Sequence, residues 1–440
     1  MKINKLELLN FRCFKEYKLV LSDHFTLLIG DNGSGKTAVL DALAYTISEF
    51  LEGFPRVLKP NDLRLICPDD IRYESISMGQ TPIRDRGLYW LSINLEGIVN
   101  KERLCWSVFD PAVFNSDSAI TAIASELAES ITSPETLLPL LAHYDTSRLW
   151  KKTDNEEIET LSPGSRLSGY RNCLNTGLDL LNTGLDLKQL FSWFKTQELA
   201  ALQKKERRHV LEAVREAIVS MIPDAKKVWW DVDWDEILIE TTIQGKAQTI
   251  PFHLLSDGYR NMIGMVADIA YRMATLNPQL EADVIKQTEG IVLIDEIDLH
   301  LHPKWQKQVV ERLLNTFPKV QFVASSHSPF IIQSLYHRDD VLLWDLDKAE
   351  PVAIDSKSIE DIAENQQGVE IPQQSQRFLD MEKAAEAYYT VLKQIPPADE
   401  DEKQRLRQRL DELLLPYSDD PAFQAFLKME RLAVEGSGKA

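Results

Sequence analysis

The sequence predicts an α/β fold: a mixed central sheet with an antiparallel β lobe, plus a helical insertion and a helical C-terminal tail. Three observations carry it. Phe25-Thr26-Leu27-Leu28-Ile29, Gly290-Ile291-Val292-Leu293-Ile294 and Val320-Gln321-Phe322-Val323-Ala324 are short, nearly continuous apolar runs, the pattern of strands buried on both faces. The first run leads through a glycine-rich turn, Gly30 to Thr37, into a helix with an apolar face at Ala38, Val39, Leu40, Ala42 and Leu43. Residues 55–115 lose helical periodicity, and segments such as 88–93 and 103–108 suggest antiparallel strands joined by a turn around Glu96-Gly97.

Along the chain, residues 1–30 predict strand, turn, strand. The opening MKINKLELLNFRCF alternates polar and apolar residues like a strand, so no secretory signal is expected. From about 116 to 222 the pattern is mostly helical, most clearly from Leu187 to Ile222, where Phe191, Phe194, Leu202, Val210, Leu211, Val214, Ile218 and Met221 recur at helical spacing until Pro223. Leu174-Asn175-Thr176-Gly177-Leu178-Asp179-Leu180 is repeated at once over 181–187; a single repeat is too little for a solenoid, and it predicts a lengthened surface loop. Trp230-Asp231-Val232-Asp233-Trp234-Asp235 alternates strictly, and a strand there places three carboxylates on one face. A solvent-facing edge protected by charge explains this more simply than a metal site. Beyond 357 the chain predicts charged helices broken at Pro396-Pro397 and Pro416, with Asp399-Glu400-Asp401-Glu402 at the break. These are solvated tail helices or an oligomer or partner contact. The expected units are thus 1–115, 116–250 (mainly helical), 251–355 and 356–440.

The bulk numbers narrow the function. At 440 residues the chain exceeds one ordinary compact domain. No apolar run approaches the roughly 18 residues that cross a bilayer, so no membrane contact is expected. Cys13, Cys67, Cys105 and Cys173 form no CxxC pair, which predicts free thiols and a cytoplasmic location. A net charge of −19 repels the phosphate backbone and argues against nucleic acid covering the whole surface. A local basic groove stays open, and its candidate is Lys204-Lys205-Glu206-Arg207-Arg208-His209, otherwise a solvated helix face.

Four segments carry chemistry. Gly30-Asp31-Asn32-Gly33-Ser34-Gly35-Lys36-Thr37 fits GxxxxGK[ST] between a buried strand and an amphipathic helix. Glycines let successive N–H groups point at phosphate oxygens, and the helix start adds its positive end. Lys36 is expected on the β and γ phosphates and the Thr37 hydroxyl on magnesium. Asp295-Glu296 closes an apolar strand, setting two carboxylates where open α/β sheets bind ligands. Asp295 is expected on magnesium, and Glu296 as the base that polarises the attacking water. His327, in Ser325-Ser326-His327-Ser328-Pro329 beyond another apolar strand, is expected to sense the γ-phosphate. Ser256 in Leu255-Ser256-Asp257-Gly258-Tyr259-Arg260-Asn261 is a candidate helix cap, and Ser256 and Gly258 are also candidates for phosphate. His300 and His302 suggest a metal pair, though Pro303 at a helix start explains the local sequence.

The order of these segments resembles the ABC-type ATPase heads of the RecF, Rad50/SMC and OLD group, as does the opening Leu8-Leu9-Asn10-Phe11-Arg12-Cys13-Phe14. The match covers 1–50 and 250–335 well and the middle poorly. The usual LSGGQ-like signature stands here as Leu255-Ser256-Asp257-Gly258-Tyr259-Arg260. The resemblance implies a P-loop ABC-type head that binds ATP and Mg2+, with Arg12 among the nucleotide-binding residues. It implies head-to-tail dimers, Ser256 and Gly258 acting in trans, and Asp298 at the seam. The Q-loop is not placed by the sequence; Gln80 is the candidate glutamine.

Asn61-Asp62-Leu63-Arg64, Ala142-His143-Tyr144-Asp145-Thr146-Ser147-Arg148 and Asp298-Leu299-His300-Leu301-His302-Pro303 also look like texts of the PtuA-type ATPases of Septu and retron anti-phage systems. That resemblance implies an ATPase switch for a partner HNH nuclease, possession of no nuclease centre of its own, and assembly as a dimer or higher oligomer. The alternatives are a RecF-like repair ATPase and an OLD-like nuclease. The OLD reading needs a Toprim domain, for which Asp345-Leu346-Asp347 supplies only a superficial pair without a preceding Glu motif. A long Rad50-like coiled coil is excluded, because the insertion lacks sustained heptads.

Overall fold

Lys2–Phe11 (β1) and Phe14–Val20 (β2) pair antiparallel, with Leu6 opposite Leu19 and Leu8 opposite Tyr17. This is a computed structural model, and it describes residues 1–54, 63–78, 81–85, 90–109, 119–146, 165–174, 188–222, 224–243, 245–336, 338–354, 358–368, 376–392 and 399–414. Residues 1–30 therefore hold three strands rather than two: β2 precedes Phe25–Ile29 (β3), and its inward side chains Phe14, Tyr17 and Leu19 are what a half-buried strand supplies. Lys36–Glu52 (α1) follows the glycine-rich turn. From Lys36 to Leu51 every residue except Thr37 is buried, because α1 packs against strands of two sheets at once.

Glu74–Met78 (β4) and Thr81–Asp85 (β5) pair antiparallel, as do Ser92–Val99 (β6) and Glu102–Phe109 (β7). The β6–β7 turn is at Asn100-Lys101, not at Glu96-Gly97. Both turn residues have positive φ, 47° and 70°, the two-residue geometry that matches the twist of paired strands. Strands β2-β1-β6-β7 form the antiparallel lobe.

After Ala119–Glu129 (α2) comes Leu140–Tyr144 (β8), a strand in the region expected to be helical. All five of its residues are buried, and a short apolar run of this kind has no period that separates strand from helix. The long helix expected over 187–222 is two, Lys188–Lys204 (α3) and His209–Met221 (α4). Lys205 breaks it with φ 53°, although neither Gly nor Pro marks the place. The basic run falls largely on this break: Lys204, Lys205 and Arg207 are exposed. Ala225–Asp231 (β9), Glu236–Ile243 (β10) and Lys246–Pro251 (β11) form a three-stranded sheet within the stretch expected to be mainly helical. The expected carboxylate face at 230–235 does not form. Strand β9 stops at Asp231, whose Oδ1 accepts the N–H groups of Asp233 and Trp234 and turns the chain.

Asp257–Leu276 (α5) and the short Val284–Gln287 (α6) lead to Gly290–Ile294 (β12), Pro303–Thr316 (α7), Val320–Ser325 (β13), Pro329–Ser334 (α8), Val341–Asp345 (β14) and Glu350–Pro351 (β15). The central sheet runs β15-β14-β3-β13-β12-β8, parallel except for β15. Ile359–Asn365 (α9), Gln376–Leu392 (α10) and Glu400–Leu414 (α11) follow. The chain divides into two compact units, Met1–Ile359 and Glu360–Ala440, the second with its own small core of Met381, Ala384, Ala385, Tyr388 and Leu410. Among the described residues no helix is long and apolar enough to cross a membrane. Most of the tandem repeat, along with Gln80, Asn61, Asp62, Ser147 and Arg148, lies outside the described residues.

One buried pair ties α5 to the edge of the sheet. Asp268 Oδ2 accepts from the Tyr144 hydroxyl at 2.8 Å and from Arg272 Nε at 2.7 Å. Arg272 Nη1 also donates to the carbonyls of Gly169 and Arg171. Burial pushes the Tyr144 hydroxyl well above its ordinary pKa, and the Asp268 charge adds to this. Asp268→Ala leaves Arg272 charged and buried without its carboxylate, and is expected to cost about 3–5 kcal/mol in urea unfolding. A loss below about 1 kcal/mol contradicts a structural role for the pair.

Candidate functional site

Strands β3, β13 and β12 are neighbours and parallel, so the segments that follow them emerge at one edge of the sheet. These segments are Gly30–Thr37, Ser325–Pro329 and Asp295-Glu296. The first is a loop in which Gly30, Gly33 and Gly35 all have positive φ. Gly35 is doubly constrained, since φ is 99° and a Cβ would overlap the Phe14 ring and Cys13 Sγ. Lys36 Nζ donates to the carbonyls of Gly30 and Asp31, both at 2.8 Å, and approaches Ser34 Oγ at 3.5 Å. Burial lowers the Lys36 pKa, while Asp347, Asp295, Asp31 and Glu296 pull it back up. Asn32 and Gly33 are exposed at the tip.

Thr37 Oγ1, in the first turn of α1, donates to Asp295 Oδ2 at 2.7 Å. The other Asp295 oxygen accepts from Ser325 Oγ at 2.5 Å. The same hydroxyl accepts the Glu296 N–H at 2.8 Å. Glu296 has φ 48°, a left-handed conformation that costs a residue with a side chain about 1–2 kcal/mol. Lys36, Thr37, Asp295 and Glu296 are thus brought together. His327 follows Ser325 by two residues and is exposed at the same edge.

Thr37 and Asp295 fit a divalent cation of the magnesium kind. Both offer oxygen, and the Thr37 proton already rests on Asp295, which leaves its lone pairs for a metal. Among the described residues no group of three or more His, Cys, Asp or Glu side chains suits a metal by itself, so phosphate oxygens and water would complete the shell. His300 and His302 are not such a site: His302 caps α7, its Nδ1 accepting the Lys304 N–H at 3.2 Å, with Pro303 in the first helical position.

Arg12, just past β1, is tied to α1 and to Asp70 rather than to the loop itself. Its Nε donates to Asp70 Oδ1 at 2.7 Å and its Nη1 to Asp41 Oδ2 at 2.5 Å. Burial alone lowers the guanidinium's pKa, but Asp41 and Asp70 outweigh it and the net shift is upward. Arg64 pairs with the other Asp41 oxygen at 2.7 Å and stands 3.1 Å from His143 Nδ1. Tyr45 donates to Asp70 Oδ2, and burial, reinforced by that bond, pushes its hydroxyl up to about 12. Sequence reasoning missed Asp41, Asp70 and Ser325 as partners of the site. Arg64 and His143 stand in separate segments that nothing in the sequence joins.

Ser256 is the N-cap residue of α5, exposed, and its side chain makes no capping bond. Among the described residues no hydrogen bond joins Ser256 or Gly258 to Gly30–Thr37. Gly258 is required by a close approach within the chain, because a Cβ there would strike the His300 carbonyl oxygen. Asp298 accepts from Ser326 Oγ at 2.5 Å. Asp347, the end of the Asp345-Leu346-Asp347 pair, accepts the Asp31 N–H at 2.7 Å and so borders the phosphate-type loop.

Two stretches of the chain match known ATPase-type domain families. Residues 1–102 match the family described as "AAA ATPase domain", and residues 141–333 the one described as "AAA domain, putative AbiEii toxin, Type IV TA system". The chain is 27% identical over 395 residues to "Retron Vc95 probable ATPase" of Vibrio cholerae serotype O1 biovar El Tor, an alignment covering 79% of this chain and 74% of that protein. It is 27% identical over 359 residues to "Septu protein PtuA" of Bacillus mycoides (strain KBAB4), covering 79% of this chain but only 41% of the longer relative. A solved "SMC head domain from Thermotoga maritima" is 16% identical with a TM-score of 0.40, covering 78% of this chain and 94% of that one. The chain is an α/β P-loop ATPase, similar over most of its length to retron and PtuA-type Septu ATPases.

Proposed function

We propose that the chain is the regulatory ATPase of an anti-phage defence system, dimerising head to tail around ATP and controlling a partner nuclease of the HNH type. The observation that carries the catalytic half is the Thr37–Asp295–Ser325–Glu296 hydrogen-bonded chain beside Lys36. The names of the retron and Septu relatives support the defence half.

On this reading the loop N–H groups and Lys36 take the β and γ phosphates, exchanging the loop carbonyls that now hold the ammonium. Magnesium, when bound, neutralises phosphate charge from Thr37 and Asp295. Glu296 orients the attacking water and accepts its proton, and His327 donates to the γ-phosphate. Arg12, anchored by Asp41 and Asp70, is a further nucleotide-binding residue on this reading. Hydrolysis is slow and acts as a timer, because the closed dimer persists until the γ-phosphate is lost.

The trans assignment rests on Ser256, whose hydroxyl is exposed at a helix start without a capping bond. A partner's γ-phosphate would meet both the hydroxyl and the helix's positive end. Ser256→Arg is expected to cut steady-state hydrolysis about 100-fold while ATP still binds the single chain. Loss of both hydrolysis and binding argues against action in trans. For the partner, the test is a pull-down from the native host with ATP present. An HNH nuclease in the eluate supports the reading, whereas ATP-dependent DNA binding by the purified chain alone favours a repair ATPase.

A further inference from the structure

Resting on the assignment of Glu296 as base, we infer that Ser325 is a positioning residue for hydrolysis, whose single hydroxyl holds the Asp295 carboxylate and the Glu296 backbone in one arrangement. A hydroxyl has one proton and two lone pairs. Ser325 Oγ lies 2.5 Å from Asp295 Oδ1 and 2.8 Å from the Glu296 nitrogen. A backbone N–H only donates and an ionised carboxylate only accepts. The proton therefore goes to Asp295, a lone pair receives Glu296, and turning the hydroxyl away breaks both bonds.

The need for such a clamp is local. Glu296 holds φ 48°, which an extended strand does not supply to the residue just beyond its end. This turn re-aims the Glu296 side chain away from the alternation of β12, and the Ser325 hydroxyl stabilises it. The Ser325 carbonyl adds a third point by accepting the Ile297 N–H at 2.9 Å. Asp295 is also held from the far side by Thr37. Its carboxylate thus spans the first turn of α1 and the end of β13, and rotation forfeits a hydroxyl on one side. Ser325 itself is fully buried, paired with Leu28 on β3 and flanked by β12. It acts on the reaction through Asp295 and Glu296, not by touching substrate.

The neighbouring serines bind other targets. Ser326 Oγ donates to Asp298, and Ser328 Oγ donates to Gln306 Oε1 at 2.7 Å. Of the three, Ser325 is the one whose hydroxyl joins both site carboxylate residues, and the effect should be specific to it.

The test compares the full chain with Ser325→Ala, alone and combined with Glu296→Gln, measuring kcat by phosphate release and ATP affinity by equilibrium binding with magnesium. Ser325→Ala is expected to lower kcat about 10–100-fold, the cost of misplacing a reacting group by roughly an ångström. ATP affinity should stay within about three-fold, since the hydroxyl acts on the chemical step. In the Glu296→Gln background the same change should have little further effect, because the two act as a unit. A Ser325→Ala kcat within about two-fold of wild type overturns the inference, as does a parallel fall in affinity and turnover. Full additivity with Glu296→Gln also overturns it. If Glu296→Gln itself hydrolyses ATP at the wild-type rate, the base assignment fails and takes this inference with it. A slow Glu296→Gln beside an unaffected Ser325→Ala removes only the role of Ser325. Should Ser325→Ala not fold, Ser325→Thr and Ser325→Cys decide. The threonine, which keeps the hydroxyl, should turn over at least about five-fold faster than the cysteine, and equal rates overturn the proposal.

Discussion

Glu296→Gln is expected to lower the turnover number about 10²–10⁴-fold while ATP binding is retained. The side chains are nearly isosteric, and the substitution leaves the Glu296 N–H on Ser325 Oγ and the left-handed backbone in place. What it removes is the acceptor for the water's proton, a loss of about 3–5 kcal/mol of transition-state stabilisation at 1.36 kcal/mol per tenfold. Ground-state affinity should hold or rise, because one negative charge near the γ-phosphate disappears. On the dimer proposal the ATP-bound assembly then outlasts that of the wild type. Single-turnover hydrolysis with sedimentation in ATP and magnesium reads both effects. Wild-type hydrolysis by the variant is the result that refutes the assignment.

Lys36→Ala is expected to weaken ATP binding at least about 100-fold, or roughly 2.7 kcal/mol. Lys36 is the cation amid Asp347, Asp295, Asp31 and Glu296, the carboxylates that raise its pKa against burial. Without the ammonium those charges face the incoming triphosphate unopposed. Two loop carbonyls, those of Gly30 and Asp31, also lose their donor in the nucleotide-free state. Equilibrium binding of a fluorescent ATP analogue measures the change. An unaltered affinity would move the nucleotide away from this loop.

Much of the site was legible because its residues are confined by local backbone requirements. A glycine-rich turn between a buried strand and a helix has few uses, and Gly30, Gly33 and Gly35 do adopt positive φ. Asp295-Glu296 and His327 stand out as candidates because each follows a run of buried apolar residues, and runs of this kind belong in the middle of a sheet. The helix start at Pro303 was legible from the proline, and the structure adds His302 as its cap.

Other features had no local signature. Strand β8 is too short to show a period. The α3–α4 break is at Lys205, a residue type that favours helix, so intrinsic propensity does not place it. The turn after β6 took Asn100-Lys101 because strand pairing put it there, leaving Gly97 inside the ladder.

By itself, the sequence determined the class of chemistry: a phosphate-type loop with its lysine after one buried strand, an acidic pair after another and a histidine after a third. Only the tertiary structure decided which side chains hold these groups in place. Ser325 reaches Asp295 across 30 residues, and Arg12 reaches Asp41 across 29 and Asp70 across 58. The physical reason is that a hydroxyl or a carboxylate has no partner written into its neighbours. For Ser325 and Asp295 the partner follows from the adjacency of β13 and β12, which arises from pairing between residues far apart in the chain.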